Sequence, residues 1–148
     1  MENRKVINVL GYAGLIPFIA AAGLVLADVS LPGLDPLLVF SAYSALILSF
    51  LGGVLWGRAL GDASQQGYTA ALLCSNGIVL LGFAALLFLP IAPLPSLLLL
   101  ALGFLLLIIV ERTVFAPLFR DADAFYKSFR LSLTAVVVLI HGLVIFNQ

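Results

Sequence analysis

The sequence predicts an all-α membrane protein, a bundle of five transmembrane helices with an amphipathic interfacial helix before the fifth. Three observations support this fold class. Of the 148 residues, 64% are hydrophobic and only 9% are charged, whereas a soluble domain has about 25% charged residues. The apolar residues form five long runs, and roughly 18 apolar residues are enough to cross a bilayer. No run alternates between polar and apolar residues as a transmembrane β-strand does.

The five predicted spans follow one another closely in a single domain that covers residues 1–148. The spans are predicted at residues 6–27, 37–60, 68–89, 94–110 and 129–146. Each is close to the length that a helix rising about 1.5 Å per residue needs to cross roughly 30 Å of hydrocarbon. They must be helical because lipid offers no partner for unpaired backbone groups.

The first span contains a proline near its middle. Pro17 cannot donate a backbone hydrogen bond, and its ring displaces the carbonyl group of Ala13 four residues earlier. We therefore expect a kink in this helix. The kink either packs against a neighbouring helix or leaves a carbonyl group that lines a cavity.

The second span carries small residues at every fourth position. They are Ser41, Ala45, Ser49, Gly53 and Gly57. Lipid supplies no hydrophobic force between helices, so a stripe of small residues favours close helix packing. The stripe predicts an interface either with another helix of the same chain or with a second copy in a homodimer.

Three polar side chains are predicted at similar depths in the membrane. They are Ser49, Asn76 and His141, on the second, third and fifth spans. We interpret them as a candidate polar core or ligand-binding site in which His141 hydrogen-bonds to Asn76, because an unsatisfied polar group in hydrocarbon is costly. A structural role and a ligand- or proton-handling role for His141 both stay open. His141 is the only histidine, so we predict no metal site and no other cofactor.

Other candidates lie near the basic ends of the spans. The candidate interfacial residues are Trp56, Arg58, Glu111 and Arg120. We expect Glu111 to pair with Arg58, Arg112 or Arg120. In residues 113–130, apolar residues recur at helical spacing and charged residues lie between them. This amphipathic pattern predicts the interfacial helix. Such a helix binds either anionic lipid headgroups or a partner protein.

Two segments resemble a known family of membrane proteins. The motif SFLGGVLWG covers residues 49–57, and GYAGLIPF covers residues 11–18. Together they resemble the bacterial family called domain of unknown function 3429, which is related to mitochondrial transmembrane protein 69. The matching positions are Gly14, Pro17, Phe18, Ser49, Gly52, Gly53, Trp56 and Gly57. The resemblance implies an inner membrane of bacteria or mitochondria and implies no activity or catalytic residues.

The sequence contains none of the common catalytic motifs, such as GxSxG, HExxH, CxxC or the Walker sequence. Our first hypothesis is therefore a non-enzymatic membrane protein that binds a lipid or another membrane protein, the latter including a second copy of itself. The alternative is a protein that binds or conducts a small hydrophobic molecule, lipid- or quinone-like, at the polar core. The net charge of +0 gives no indication of nucleic-acid binding.

The distribution of charge predicts the orientation of the chain. The seven basic residues are Arg4, Lys5, Arg58, Arg112, Arg120, Lys127 and Arg130. With five spans, all of them fall on one side, and the connections on the other side contain no Lys or Arg. The cytoplasmic side carries the excess of basic residues. We therefore expect a bacterial inner-membrane protein with a cytoplasmic N-terminus and a periplasmic C-terminus, or a mitochondrial inner-membrane protein in a eukaryote.

Reporter fusions test this orientation. We expect fusions after Lys5, Ser64 and Asp121 to report the cytoplasm, and fusions after Leu34 and Gln148 to report the periplasm, because basic residues stay on the cytoplasmic side. Paired phosphatase and fluorescent-protein reporters give opposite signals at each position. A periplasmic signal from the Ser64 fusion would contradict the five-span arrangement.

Overall fold

The computed structural model describes residues 2–29, 31–61, 67–120, 122 and 124–148. The fusion points Ser64 and Asp121 lie outside these residues. The regular elements are α1 (Glu2–Ala13), α2 (Ile16–Leu26), α3 (Pro36–Gly61), α4 (Tyr68–Phe88), α5 (Pro93–Arg112), a 3₁₀ helix (Ala116–Phe119) and α6 (Ala124–Phe146). The described part of the chain is therefore all-helical, as predicted.

Five helical segments are long and apolar enough to cross a membrane. The first runs from Arg4 to Leu26 and contains both α1 and α2, and the other four are α3, α4, α5 and α6. The predicted number of spans is confirmed, and the fifth begins at Ala124 rather than at residue 129. The protein is a multi-pass membrane protein.

The helices form a ring in which chain neighbours pack against each other. The main contacts join α2 to α3, α3 to α4, α4 to α5 and α5 to α6. The ring closes because α6 also packs against α2, and α3 contacts α5 across the middle. Successive spans therefore run in opposite directions across the bundle. This arrangement brings the basic residues to one end of it.

The predicted kink in the first span is confirmed as a break between α1 and α2. The first helix ends at Ala13, and Pro17 lies in the first turn of α2, where a missing backbone N–H costs no hydrogen bond. The Tyr43 hydroxyl group on α3 donates a hydrogen bond of 2.9 Å to the carbonyl of Gly14. A neighbouring helix thus satisfies a backbone group that the break leaves open.

Glycine allows α3 and α4 to approach each other closely. A Cβ atom at Gly52 would lie 3.2 Å from the Ser75 backbone oxygen, and one at Gly82 would lie 3.4 Å from the Cβ atom of Ala45. Both glycines are buried. Backbone contact at this interface therefore depends on the absence of side chains, as in other membrane helix pairs.

The stripe of small residues does not form one interface inside the protomer. Ser41 and Ala45 are buried, but Gly53 and Gly57 are exposed, and a Cβ atom at either glycine would meet no atom within 4 Å. The reason is geometric. A helix has 3.6 residues per turn, so each four-residue step advances about 40° around the axis, and Ser41 and Gly57 differ by about 160°.

The separate interfacial helix predicted before the fifth span is not present among the described residues. The connection instead contains the 3₁₀ helix, and the first turns of α6 take up the rest of the predicted segment. The residues Phe115, Leu118 and Phe119 are buried. Their apolar side chains pack back onto the end of the bundle, so no continuous helical face is left for lipid.

Two adjacent glycines on α3 provide a matched test of the packing. We expect Gly52→Leu to destabilise the bundle by about 1–3 kcal/mol, because the side chain would overlap the α4 backbone. Gly53→Leu should leave the stability of the protomer nearly unchanged. Thermal unfolding of both variants in detergent measures the difference. Equal destabilisation by Gly53→Leu would mean that protein covers that face.

Candidate functional site

A buried ion pair joins the ends of α5 and α6. The Arg130 Nη2 atom donates a hydrogen bond of 2.8 Å to the Glu111 Oε1 atom. Glu111 is 5% exposed and Arg130 is 7% exposed. Because a charged group that is removed from water must be paired, the two side chains hold each other in place.

The helical spacing of α6 explains why Arg130 points into the bundle. Its buried residues include Arg130, Thr134, Val137, His141 and Val144, which recur at three- and four-residue intervals and therefore share one face. Arg130 was not among the predicted partners of Glu111. The signal that identifies it is that Arg130 lies on the same helical face as His141.

The predicted partners of Glu111 have other positions. The Arg58 guanidinium lies 5.4 Å from the ring centre of Phe119, and the Arg112 Nη2 atom donates a hydrogen bond to the backbone carbonyl of Lys127. Arg120 and Trp56 are exposed. Arg58 and Arg112 thus hold the 3₁₀ helix and the start of α6 at the basic end of the bundle.

The ion pair lies in the wall of a cavity with several charged lining residues, which we call the basic pocket. Its volume is about 220 Å³, and its main lining residues are Glu111, Arg112, Phe119, Tyr126, Lys127 and Arg130. Three of these side chains are basic and one is acidic. The carboxylate of Glu111 is already paired with Arg130, so the described residues of the lining carry an excess of positive charge.

A second cavity opens sideways toward lipid, and we call it the lateral crevice. Its volume is about 150 Å³. Its main lining residues are Leu10, Gly14, Phe18, Phe50, Thr134 and Arg130. Leu10 and Phe50 are each 68% exposed, so the mouth of the crevice lies on the outer surface of the bundle. The crevice follows the break between α1 and α2, where the helix direction changes.

Among the described residues, Arg130 alone lines both cavities. Its Nε atom is buried and has no hydrogen-bond partner among the described residues. A buried donor without a partner costs free energy comparable to a lost hydrogen bond. The guanidinium therefore has one unsatisfied N–H in a side chain that lines both cavities.

His141 lies inside the bundle and is fully buried. Its Nδ1 atom lies 2.8 Å from the Val137 carbonyl oxygen, which only accepts, so Nδ1 carries the proton and donates. The ring centres of Phe40, Phe104 and Phe18 lie 4.8, 5.5 and 6.0 Å from that of His141. The Nε2 atom is enclosed and has no partner within the described residues. The imidazole is thus a packed, aromatic-lined part of the core.

The structure does not bring the three residues of the predicted polar core together. The exposed Asn76 side chain donates a hydrogen bond to the Leu72 carbonyl one turn earlier, at 2.8 Å. Ser49 does the same with the Ala45 carbonyl, at 2.8 Å. Both side chains therefore satisfy themselves on their own helices. Similar depth in the membrane did not imply that these side chains face each other.

The fold and the site define a small polytopic helical membrane protein with a cavity lined by charged side chains at one end of its bundle. The chain belongs to the family described as Protein of unknown function (DUF3429), which matches residues 3–146. The family resemblance predicted from the two motifs is confirmed. No curated protein and no solved structure matches the chain.

The ion pair can be tested by single and double substitution. We expect Arg130→Met and Glu111→Leu each to destabilise the bundle by about 3–5 kcal/mol, because each leaves an unpaired buried charge. The double variant should recover most of this loss, since two apolar side chains carry no charge to desolvate. Thermal unfolding in a neutral detergent measures all three variants.

The exposed Arg120→Met variant is the control for loss of a basic residue. A surface change of this kind alters stability by about 0.5 kcal/mol or less. If the double variant loses as much unfolding free energy as the two single variants together, the two residues do not act as a unit.

Proposed function

We propose that this protein binds an anionic membrane lipid through its basic pocket and catalyses no reaction. The observation that carries the proposal is the buried Arg130 side chain, whose Nη2 atom pairs with Glu111 while its Nε atom has no partner in the described structure. A phosphate oxygen accepts hydrogen bonds from a guanidinium in a fixed planar geometry. The headgroup would supply the missing acceptor.

The electrostatics of the pocket favour an anion over a neutral headgroup. Lys127 and Arg112 line it together with Arg130, and the one carboxylate among its described lining residues is already paired. Basic pockets between transmembrane helices on the cytoplasmic or matrix side bind anionic headgroups. The Arg112 guanidinium on α5 donates a hydrogen bond to the backbone carbonyl of Lys127 on α6, so its position beside the pocket is fixed.

The proposal includes a location and an orientation. We place the protein in the inner membrane of a bacterium, or of a mitochondrion in a eukaryote, with the basic end and the N-terminus on the cytoplasmic or matrix side. The connection between α5 and α6 then lies at the level of the headgroups, where Arg120 and the residues around it contact the interface. The anionic lipids of that leaflet are next to the pocket.

A quinone-like ligand fits the two cavities near Arg130 less well. Cavities for drug-sized molecules have volumes of roughly 300–1,000 Å³, and each of the two cavities near Arg130 is smaller. Ser49, Asn76 and His141, which the alternative hypothesis needs in one site, lie apart. A lipid bound at the basic end also suits a protein that assembles with a partner, because a shared lipid can lie between them.

The selectivity of the pocket can be measured by lipid-dependent stabilisation. We expect phosphatidylglycerol or cardiolipin to raise the melting temperature of the protein in a neutral detergent, and phosphatidylcholine to have little effect. A ligand at a hundred times its Kd stabilises the folded state by about 2.7 kcal/mol. We expect Lys127→Gln to weaken anionic lipid binding roughly fivefold, since a basic residue near the headgroups contributes about 1 kcal/mol.

The control variant is Arg120→Gln. It removes one positive charge from the same end of the protein but from outside the pocket. Equal weakening by Lys127→Gln and Arg120→Gln would contradict a defined headgroup site and indicate a diffuse charge effect. Equal stabilisation by phosphatidylglycerol and phosphatidylcholine would contradict the proposal as a whole.

A further inference from the structure

The lateral crevice shares the Arg130 side chain with the basic pocket. Its wall is formed by the end of α1, the start of α2, α3, α5 and α6. Apart from the buried Thr134 hydroxyl and Arg130, its lining side chains are apolar. The mouth lies between Leu10 and Phe50, both of which are largely exposed on the outer surface of the bundle. The crevice is therefore open to hydrocarbon along its side.

We propose that the lateral crevice holds one unbranched hydrocarbon chain of the amphiphile whose anionic head occupies the basic pocket. This inference rests on the proposed function, because the head and the chain meet at Arg130, the residue that lines both cavities. The inference also extends the proposed function. It assigns a site to the hydrocarbon chain and limits the ligand class to anionic amphiphiles with a flexible linear chain.

The size of the crevice selects the occupant. Its volume of about 150 Å³ corresponds to only about five water molecules of roughly 30 Å³ each. A transmembrane helix has a diameter of about 10 Å with its side chains and does not enter such a space. A linear hydrocarbon chain is thin enough to enter this space. Such a chain comes from the surrounding membrane and does not need to pass through water.

The local backbone keeps the crevice open. Gly14 lies in its wall at the break of the first span, and its carbonyl group is held by Tyr43. A Cβ atom at Gly11 would lie within 3 Å of the Phe129 ring, so this glycine lets α1 contact α6 at the end of the crevice. The Phe18 and Phe104 rings, which also line it, pack against each other with their centres 6.3 Å apart. The inner wall is thus rigid and apolar.

The amphiphile has two sources in a membrane. A diacyl phospholipid would insert one of its two chains and leave the other in the bilayer, whereas a free fatty acid or a lysophospholipid would insert its only chain. The shared chemistry is an anionic head on a linear chain. Competition between these molecules distinguishes the sources.

Photo-crosslinking tests the chain site on the unaltered protein. The probe is phosphatidylglycerol that carries a diazirine near the middle of one acyl chain, bound to the purified protein in a neutral detergent. We expect mass spectrometry to find cross-links concentrated at Leu51, Leu133 and Thr134, which line the crevice. Cross-links spread evenly over exposed residues such as Leu46 and Leu139 would overturn the chain site.

A pair of adjacent substitutions on α3 gives an independent test. Ile47 lines the crevice, whereas Leu46 is exposed and does not. We expect Ile47→Trp to fill the crevice and to reduce crosslinking of the diazirine lipid at Leu133 and Thr134, while Leu46→Trp retains it. The result on the unaltered protein decides the proposal if Ile47→Trp does not fold. Crosslinking at Leu133 and Thr134 that is unchanged in folded Ile47→Trp would overturn the inference.

The two proposals fail in different ways. If Lys127→Gln does not weaken anionic lipid binding, the headgroup site is contradicted. If Lys127→Gln leaves crosslinking at the crevice unchanged, the chain site stands without the headgroup site. Competition with unlabelled dioleoyl phosphatidylglycerol, lysophosphatidylglycerol and oleate identifies the source of the chain. If none of the three reduces crosslinking at Thr134, the crevice proposal is wrong.

Discussion

The ion pair between Glu111 and Arg130 determines how α5 and α6 meet at the basic end of the bundle. A carboxylate and a guanidinium buried at this depth are stable only together, so the rotation of each helix about its axis is fixed by the other. Both residues of the pair line the basic pocket, and Arg130 also lines the lateral crevice. Loss of the pair would therefore change the shape of both cavities.

Polar and small residues specify the packing of this bundle because apolar residues cannot. In water, an apolar face identifies the side of a helix that is buried, but lipid is as apolar as the core. Leu residues of α3 and α5 are found both inside and outside the protein. The close approach at Gly52 and Gly82 and the buried Arg130 and His141 give each helix a defined inward side.

This difference explains which features the sequence predicted. The five spans, the break before Pro17 and the single basic end follow from run length, from a missing N–H and from counting charges along the chain. These properties do not depend on which side of a helix faces the core. The partner of Glu111 and the contacts of Asn76 and Gly53 do depend on which side of a helix faces the core. Depth alone placed Asn76 near His141, but the amide is on the outer surface.

The packing of α1 has a consequence for exchange with the membrane. This helix contacts the bundle chiefly through α6, with Tyr12 edge-on to Phe129 at 5.5 Å and the Arg4 guanidinium 5.4 Å from the Phe125 ring centre. Proteins open locally where few buried contacts hold a segment, at a free energy well below that of global unfolding. The outer wall of the crevice therefore belongs to a segment that few helix contacts hold to the bundle. Its amide protons should exchange before those of the closely packed α3 and α4, and a chain enters or leaves on the timescale of that local opening.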